Sequence, residues 1–427
     1  MDIAQLQLAF LNELPSTQLN DLAVFRFPRT EIWLRKGQLE ERFEPIPENC
    51  FSYLKKHGRG SLAFSSLQDG IDCFLANAIG YVPYSKISDS TPVCLSDPIC
   101  AEAEKESLIL QFIRQCRKAP IFLHINKHTA EILQKQGFYI TEFGTETIID
   151  VQTFSTTGSK KEFLRSQRNR AEKDGVKVVE LNSSQISKNE LLRISKEWLE
   201  GKAVNSNELA FLTRPVVFED EPGVRKFYAM KDKKILGFVY FDPMYEDGRI
   251  VGYLANNLRT NASVSYSVCD FIILEALKKF RQEGIKELSL GFSPFSNLTG
   301  NGDFKCSKPL QELFRFTFEH CNYLYSFKQL AFHKQRYRPE LPGARQLKVY
   351  CATKSAFPVI SIYGIFLKMG FKPLPQTIKH LVSVTHEIFG SKLDSILKFG
   401  AENIKTNRLL KMATPRSDAN ALQERAA

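Results

Sequence analysis

Residues 250–291 read IVGYLANNLRTNASVSYSVCDFIILEALKKFRQEGIKELSLG. Two apolar runs in this stretch, Ile250 to Ala255 and Glu287 to Gly291, predict strands. The segment between them, Ser267 to Glu283, predicts a helix, and Gly284 follows where a left-handed residue commonly ends one. Alternation of strands and helices indicates an α/β (α+β) architecture.

The alternation continues upstream of this stretch. Lys226 to Met230 and Ile235 to Asp242 predict an antiparallel pair, Glu104 to Arg117 an amphipathic helix, and Ser61 to Phe64 and Ala119 to Ile125 two strands. These runs predict two units of related fold laid end to end. The expected divisions are an N-terminal extension at 1–45, a first domain at 46–152, a second domain at 153–350, and a basic helical extension with a disordered tail at 351–427.

Length and composition restrict the class of protein. The chain has 427 residues, of which 43% are hydrophobic and 25% charged, as in soluble globular proteins. Its longest apolar stretch, Ala356 to Phe371, falls short of the roughly 20 residues of a spanning helix. The first five residues lack the basic start of a secretory signal. We therefore expect a cytoplasmic protein without a transmembrane segment.

The charge favours a polyanionic partner. The net charge is +11, and residues 351–427 hold eleven Lys and Arg against five Asp and Glu. The nine cysteines form no Cys-x-x-Cys pair, so neither a metal site nor a redox motif is expected and the thiols are interpreted as reduced and structural.

A basic helix is predicted from Lys160 to Lys173. At helical spacing, Lys161, Arg165 and Arg168 fall on one face, an arrangement that suits the phosphates of a nucleic acid or of lipid headgroups. An ordinary solvated basic face is the alternative.

Two strand ends carry polar or small residues. Asn256 and Arg259 end the strand from Gly252 and provide hydrogen-bonding groups at a sheet edge, with a polar turn as the alternative. Ser289, Gly291 and Ser293 form a strand followed by small residues whose backbone N–H groups are candidates for holding an oxyanion, with a plain strand-to-loop transition as the alternative.

The segment Tyr325 to Arg338 predicts a helix with a lysine on its apolar side. Lys334 lies seven residues after Phe327, on the same stripe, whereas Lys328 lies nearer the edge. Such a lysine lines a pocket or extends its amine to solvent. His320 and His333 are interpreted as structural or surface residues.

Together, these segments resemble the C-terminal catalytic domain of the aminoacyl-phosphatidylglycerol synthases between about Gly58 and Tyr350. The matching pieces are, in order, Leu95-Ser96-Asp97-Pro98-Ile99, Gly137-Phe138, Gly144-Thr145-Glu146, Gly158-Ser159-Lys160-Lys161, Leu164-Arg165, Asn169-Arg170, Glu197-Trp198-Leu199, Asp270-Phe271, Ser289-Leu290-Gly291, Phe327-Lys328-Gln329-Leu330 and Lys334-Gln335-Arg336-Tyr337-Arg338-Pro339.

The resemblance implies two tandem acetyltransferase-like (GNAT) domains with a central tunnel, the second of which carries the catalytic site. It implies an aminoacyltransferase that esterifies an amino acid onto a lipid hydroxyl, that of phosphatidylglycerol or a related lipid, at the cytoplasmic face of the membrane. Aminoacyl-tRNA is the implied co-substrate, with no other cofactor. The implied partners are aminoacyl-tRNA and an anionic phospholipid or membrane surface.

The resemblance also assigns residues. Arg259 matches the arginine of a family Asp-x-x-Arg motif, and Asp270 lies at the family's spacing from it. Lys328, Lys334 and Arg336 match basic positions of the closing motif. We hypothesise that Arg259 binds an anionic headgroup or a terminal tRNA phosphate and that Lys334 stabilises developing negative charge. Lys328 and Arg336 are assigned to phosphates, and Asp270 or Asn256 to the amino group.

Three departures from the family keep alternatives open. The Asp of the motif is Asn256 here, residues 340–345 replace an aromatic-rich ending, and the multi-span flippase domain of many members is not expected. The alternatives are an aminoacyl-tRNA-dependent transferase for a soluble or sterol-like alcohol, a non-catalytic tRNA- or lipid-binding module of the same fold, and an acyl-CoA N-acyltransferase. The apolar residues 357–371 and their basic flanks predict a peripheral membrane contact.

Overall fold

The computed structural model describes residues 23–27, 30–35, 38–43, 48–87, 91–201, 210–261, 266–300, 302, 304–322 and 325–369. The strands are β1 (Ala23–Phe27), β2 (Thr30–Arg35), β3 (Gln38–Phe43), β4 (Asp72–Ala76), β5 (Gly80–Lys86), β6 (Pro92–Leu95), β7 (Ile99–Cys100), β8 (Ile121–Ile125), β9 (Tyr139–Asp150), β10 (Lys177–Glu180), β11 (Arg225–Lys231), β12 (Lys234–Glu246), β13 (Arg249–Thr260), β14 (Glu287–Pro294) and β15 (Ala344–Thr353). The helices are α1 (Glu48–His57), α2 (Lys105–Gln115), α3 (Lys127–Lys135), α4 (Glu162–Lys173), α5 (Lys188–Glu200), α6 (Val268–Gln282), α7 (Lys308–His320), α8 (Phe327–Gln335) and α9 (Val359–Lys368).

The stretch 250–291 forms β13, α6 and β14, as its sequence predicts. Helix α6 is apolar over most of its surface because it packs against α4 on one side and against β11, β12 and β13 on the other. Its Phe280 ring lies 4.7 Å from that of Tyr253 and 5.3 Å from that of Phe241, measured between centroids. Gly284 then ends the helical path with a φ of 76°.

One predicted strand is wrong. Ser61 to Ala63 form a turn, and Phe64–Leu67 form a 3-10 helix instead of extended chain. The Ser66 hydroxyl donates to the Ala63 carbonyl at 2.6 Å, and the whole segment is buried. The apolar run therefore marks a buried turn, whose local hydrogen bonds replace those of a sheet.

Twelve of the described strands form one sheet in the order β10-β11-β12-β13-β14-β9-β15-β8-β6-β5-β4, with β7 paired to β5. Neighbours are antiparallel except for the pairs β6/β8 and β13/β14. Parallel neighbours need a crossover connection, and α2 and α6 lie on the two crossovers. In each half, the chain thus forms antiparallel strands first, and a crossover helix then leads to a strand that pairs in parallel. The fold is mixed α/β.

Strand β15 lies between β8 and β9. It pairs with β9 from Ala344 to Thr353 and with β8 from Tyr350 to Ala352. The last strand of the second expected domain therefore completes the sheet of the first, and it crosses the expected boundary at 350. The domain divisions themselves stay predictions.

The N-terminal and C-terminal segments are described in part. β1, β2 and β3 form a separate antiparallel sheet inside the expected extension 1–45. The expected disordered tail lies outside the described residues. No helix in the described part of the chain is both long enough and apolar enough to cross a bilayer.

From the packing around α6 we predict that shortening one of its buried side chains lowers the stability of the fold. Leu277 is buried on α6, whereas Leu192 is exposed on α5. We expect Leu277→Ala to lower the free energy of unfolding by about 2–5 kcal/mol, because it removes buried methyl groups and leaves a cavity. Leu192→Ala, the matched control, changes it by less than about 0.5 kcal/mol. Urea denaturation followed by circular dichroism compares them, and equal losses would contradict the assignment of this core.

Candidate functional site

A mainly apolar cavity of about 210 Å³ lies where β13 and β14 separate. The two strands pair only from Gly252 to Leu254 against Glu287 to Ser289. Beyond these residues the strands diverge, and α8 and α9 cover the gap. The residues that line it include Leu254, Asn256, Leu258, Arg259, Leu290, Gly291, Phe292, Phe314, Tyr325, Leu330, His333, Lys334, Ile362 and Ile365.

Arg259 lies on the wall of this cavity and is only 4% exposed. Its guanidinium carbon lies 3.8 Å from the centroid of the Trp198 ring, at cation–π distance. Its Nε donates to the Ser195 hydroxyl at 3.4 Å. Helix α5 thus fixes the plane of the guanidinium, so that a cation faces the cavity in one orientation.

Asn256 is oriented by a buried arginine that the sequence did not single out. The Asn256 and Asn257 side-chain amides both donate to the Arg214 carbonyl, at 3.3 and 2.9 Å. The Arg214 guanidinium forms a two-bond pair with Asp242, at 2.6 and 3.0 Å, and another with Glu221. Burial opposes the charge of Arg214, but these two carboxylates raise its pKa and keep it charged. Asn256 is therefore held at the cavity by its bond to a fixed backbone carbonyl.

Asp270 is fully buried and does not line the cavity. Its Oδ1 lies 2.9 Å from His333 Nε2 and accepts the Tyr337 hydroxyl at 2.8 Å, and its Oδ2 lies 3.5 Å from Arg336 Nη1. Burial by itself raises the pKa of Asp270, but His333 and the other donors hold that pKa below its ordinary value. The carboxylate thus fixes His333 of α8 together with Arg336 and Tyr337 just beyond its end, and of these His333 reaches the cavity.

Lys334 is the cavity's buried amine. It is 4% exposed, which decides for a pocket between the two alternatives of the sequence analysis, and its Nζ donates to the Phe292 carbonyl at 2.6 Å. Burial lowers the pKa of Lys334 to about 7, against an opposing effect of Glu146. An amine with this pKa is partly neutral at physiological pH and accepts or donates a proton there.

The expected oxyanion loop is engaged in bonds of its own. The Gly291 N–H donates to the Ser289 hydroxyl at 2.9 Å, so this N–H is not free for an oxyanion, and the role of the loop stays a prediction. Ser289 in turn donates to Glu146 at 2.5 Å, and Ser293 is buried in the β14/β9 ladder opposite Thr145. Of these three small residues, Gly291 lines the cavity.

The expected row of cations on α4 is not one exposed face. Lys161 precedes the helix, is 3% exposed, and donates to the Ser155 carbonyl at 2.8 Å. Arg165 donates to the carbonyls of Thr156 and Gly158, and Arg168 Nε lies 3.8 Å from Glu172. Since the chain itself binds these groups, the prediction of a solvent-facing comb is wrong for Lys161. A phosphate-binding role for the other two stays a prediction.

The remaining expected cations lie outside the cavity lining. Lys328 is exposed and donates to the Glu319 carbonyl at 2.8 Å. Arg336 is half-buried, and its guanidinium carbon lies 4.2 Å from the Phe163 ring centroid and 5.1 Å from that of Phe332. The structure therefore brings together Arg259, Lys334, Asn256 and Gly291 and leaves Lys328 apart.

The described part of the apolar segment, residues 357–369, contributes to the site. Ile362 and Ile365 of α9 are buried and line the cavity. The prediction that this segment lies on a membrane is wrong for that face, because the face packs on the domain. Phe357, by contrast, is exposed.

Sequence reasoning missed His333, which was interpreted as structural although it lines the cavity beside Lys334. Its partner Asp270 is distant in sequence, so no local spacing reveals the pair. The roles of Trp198 and Tyr325 at the cavity were missed as well, because each is distant from Arg259 in the sequence and no local spacing connects them. Among the described residues, no group of three or more His, Cys, Asp or Glu is arranged to hold a metal ion.

Comparison with known proteins places this geometry in context. Residues 51–349 match the family model described as phosphatidylglycerol lysyltransferase, C-terminal. The chain is 25% identical over 315 residues to the phosphatidylglycerol lysyltransferase of Bacillus subtilis, covering 71% of this chain and 36% of that protein. It is 25% identical over 296 residues to that of Staphylococcus epidermidis, covering 68% and 34%. The chain thus spans about a third of the length of these relatives.

Solved structures agree on the fold. L-PGS from Bacillus licheniformis superposes with a TM-score of 0.63 at 21% identity, over 77% of this chain and 97% of that one. A C-terminal domain from Agrobacterium fabrum superposes with a TM-score of 0.58 at 19% identity, over 76% and 95%. At these identities the likeness establishes the shared fold.

The buried amine predicts a pH-dependent change in stability. We expect Lys334→Met to raise the free energy of unfolding below pH 7 by a few kcal/mol, because each pKa unit corresponds to about 1.4 kcal/mol. The pKa of Lys334 is lower in the folded chain than in the unfolded one, so wild-type stability rises as pH increases from about 7 to about 10. The advantage of the variant shrinks over that interval.

Urea denaturation at several pH values measures this difference. Lys278→Met removes an exposed lysine from α6 and serves as the matched control, with the pH dependence of the wild type. Parallel curves for the wild type and Lys334→Met would show that the amine is not buried in its charged form.

Proposed function

The chain belongs to the family of the phosphatidylglycerol lysyltransferase C-terminal domain, and from this premise we propose that it transfers an aminoacyl group from aminoacyl-tRNA to the hydroxyl of a lipid. The observation that carries the proposal is Lys334, a buried amine at the wall of a mainly apolar cavity, with a pKa of about 7. Such a group takes a proton from a hydroxyl at neutral pH.

The reaction requires little covalent chemistry, because the aminoacyl ester of tRNA is already activated. Neutral Lys334 accepts the proton of the acceptor hydroxyl as the oxygen attacks the ester carbonyl. The tetrahedral intermediate then collapses, the bond to the terminal ribose oxygen breaks, and the Lys334 ammonium returns the proton to that oxygen. The proton that leaves the acceptor hydroxyl is the one that the ribose oxygen receives. Alignment of the two substrates supplies much of the rate enhancement.

The other charged groups at the site suit the substrates. Arg259, fixed by Trp198, is assigned to a lipid phosphate or to the terminal tRNA phosphate. Asn256 and His333 line the same cavity and are assigned to polar groups of the aminoacyl moiety. Asp270 acts indirectly, since it orients His333 and Arg336.

The walls of the cavity favour an apolar acceptor. Leu254, Leu290, Phe292, Ile362 and Ile365 surround the polar groups, and such a lining binds hydrocarbon better than a polar metabolite. A lipid hydroxyl is therefore preferred to that of a small soluble alcohol. Phosphatidylglycerol is the acceptor that the names of the relatives support.

The tandem arrangement of acetyltransferase-like domains around a tunnel is part of the proposal. Its support is the repeated order of antiparallel strands, helix and parallel strand, with α2 leading to β8 and α6 leading to β14. Arg259 of β13 and Lys334 of α8 lie after residue 153, so the proposed chemistry is assigned to the second domain.

Substitution of the two proposed functional cations tests the reaction. We expect Lys334→Met and Arg259→Ala each to lower aminoacyl transfer at least about 100-fold, because they remove proton transfer and charge stabilisation. Transfer from radiolabelled aminoacyl-tRNAs into a total lipid extract is read by thin-layer chromatography, with and without ribonuclease.

Lys278→Ala and Arg315→Ala are the matched controls, since both remove exposed cations paired on their own helices. Their transfer rates should equal that of the wild type. Full activity in Lys334→Met and Arg259→Ala would refute these roles. No labelled lipid from folded wild-type protein that binds tRNA would favour a soluble acceptor or a non-catalytic module.

A peripheral position at the inner face of the membrane is the expected location for this reaction. With a net charge of +11, the full chain should float with vesicles of phosphatidylglycerol and remain unbound with vesicles of phosphatidylcholine. Raising the salt from about 0.05 to about 0.5 M should release it, because the Debye length shortens. Equal binding to both vesicles, unaffected by salt, would exclude an electrostatic membrane contact.

A further inference from the structure

Glu146 of β9 is a buried carboxylate at the centre of the main sheet. Its Oε1 accepts the Ser289 hydroxyl at 2.5 Å, and its Oε2 lies 3.8 Å from His124 Nε2. Glu146 and His124 both line a second, more polar cavity of about 290 Å³. Burying a carboxylate costs several kcal/mol unless its charge is compensated, and a hydroxyl compensates it only in part.

Two backbone irregularities direct side chains towards this carboxylate. In the β14/β9 ladder the register shifts between Ser289 and Phe292, and Gly291 there has a φ of 83°. In the β15/β8 ladder, Tyr350 pairs with Ile125 and Cys351 with Leu123, so His124 is the extra residue of a bulge. His124 has a φ of 60°, which is unusual for a residue with a side chain. Bulges and left-handed non-glycine residues concentrate at functional sites.

Lys334 approaches from the other cavity. A Cβ atom placed on Gly291 would lie 3.7 Å from Lys334 Nζ, which is ordinary contact, so the amine lies directly beside this bulge. Of the described groups, Glu146 is the one whose charge raises the pKa of Lys334 against the effect of burial. Burial lowers the pKa of His124 and keeps its imidazole neutral, so His124 does not neutralise Glu146.

Other titratable groups surround Lys334 as well. They are His124 from β8 with Asp97 behind it, Glu146 from β9, Arg259 from β13, Tyr325 before α8, and His333 from α8 itself. Asp270, the other buried carboxylate near α8, is paired with His333 and Arg336 and does not line the cavity. This leaves Glu146 as the carboxylate that acts on the amine.

We infer that Glu146 is a positioning residue for the transfer: its carboxylate, held by Ser289 and paired in register with Phe292, is the buried counter-charge of the Lys334 amine, which donates to the Phe292 carbonyl. The inference rests on the proposed function of Lys334 as the base. Without Glu146, burial would keep the amine neutral and weaken it as a base. With Glu146, the ammonium formed during the reaction has a buried counter-charge.

The titration of Lys334 can be measured without any substrate. Trace acetylation with acetic anhydride, followed by peptide mass spectrometry, reports the neutral fraction of this amine between about pH 5 and pH 10. We expect the midpoint for Lys334 to lie at lower pH in Glu146→Gln than in the wild type, because loss of the negative charge disfavours the ammonium. In Glu146→Asp, which keeps a shorter carboxylate, the midpoint should lie between the two.

Glu142→Gln is the matched control. Glu142 is equally buried on β9 but pairs with Lys348, so the Lys334 midpoint should stay at the wild-type pH. In the transfer assay, the ratio of kcat/KM for Glu146→Gln to that of the wild type should rise as pH falls from about 8 to about 6. A rise of up to about tenfold corresponds to one pKa unit.

An unchanged Lys334 midpoint in folded Glu146→Gln would overturn the inference. If that variant does not fold, a midpoint in Glu146→Asp equal to or above that of the wild type would overturn it instead. Lack of transfer by the wild type would refute the proposed function separately, and the acetylation result would still decide whether Glu146 sets the charge of Lys334.

Discussion

The short pairing of β13 with β14 is the constraint from which the site follows. These strands are hydrogen-bonded from Gly252 to Leu254 and from Glu287 to Ser289, and they separate after that. Separated strands leave backbone and side chains of a sheet interior facing a gap, which another element must cover. Helix α8 covers it with Lys334, whose amine donates to the carbonyl of Phe292 on the diverging strand. Cavity, buried amine and helix position are thus consequences of one interrupted ladder.

The charged groups around the gap differ in how firmly they are held. Arg214 is locked by Asp242 and Glu221, and Asp270 binds His333 and Arg336, so these groups form a fixed frame. Lys334, by contrast, donates to the neutral carbonyl of Phe292 and not to a carboxylate. A proton moves most readily on a group whose two charge states are close in free energy, and burial brings Lys334 to that condition. Arg214 of this frame stays charged while the amine titrates.

Sequence patterns predicted the elements that depend on local periodicity. The bounds of α6 and the core of β13 and β14 follow from apolar spacing, whereas the place of Lys334 seven residues after Phe327 left open whether its amine lines a pocket or reaches solvent. Contacts between distant segments were not predictable. His333 is bound by Asp270 and Asn256 by the Arg214 carbonyl, pairs that no spacing reveals. The turn at Ser61 imitates a strand because a buried turn and a buried strand share an apolar composition.

The place of β15 also bears on how the chain folds as it leaves the ribosome. β8 and β9 belong to the first half of the sheet, yet the strand between them is made of residues 344–353. Until those residues emerge, β8 and β9 each present an unpaired edge, the kind of edge that associates with other chains. The first half therefore cannot be completed in order of synthesis, and its closure waits for contacts of long sequence separation, which form slowly. A nascent chain of this design depends on protection of those edges over most of its translation.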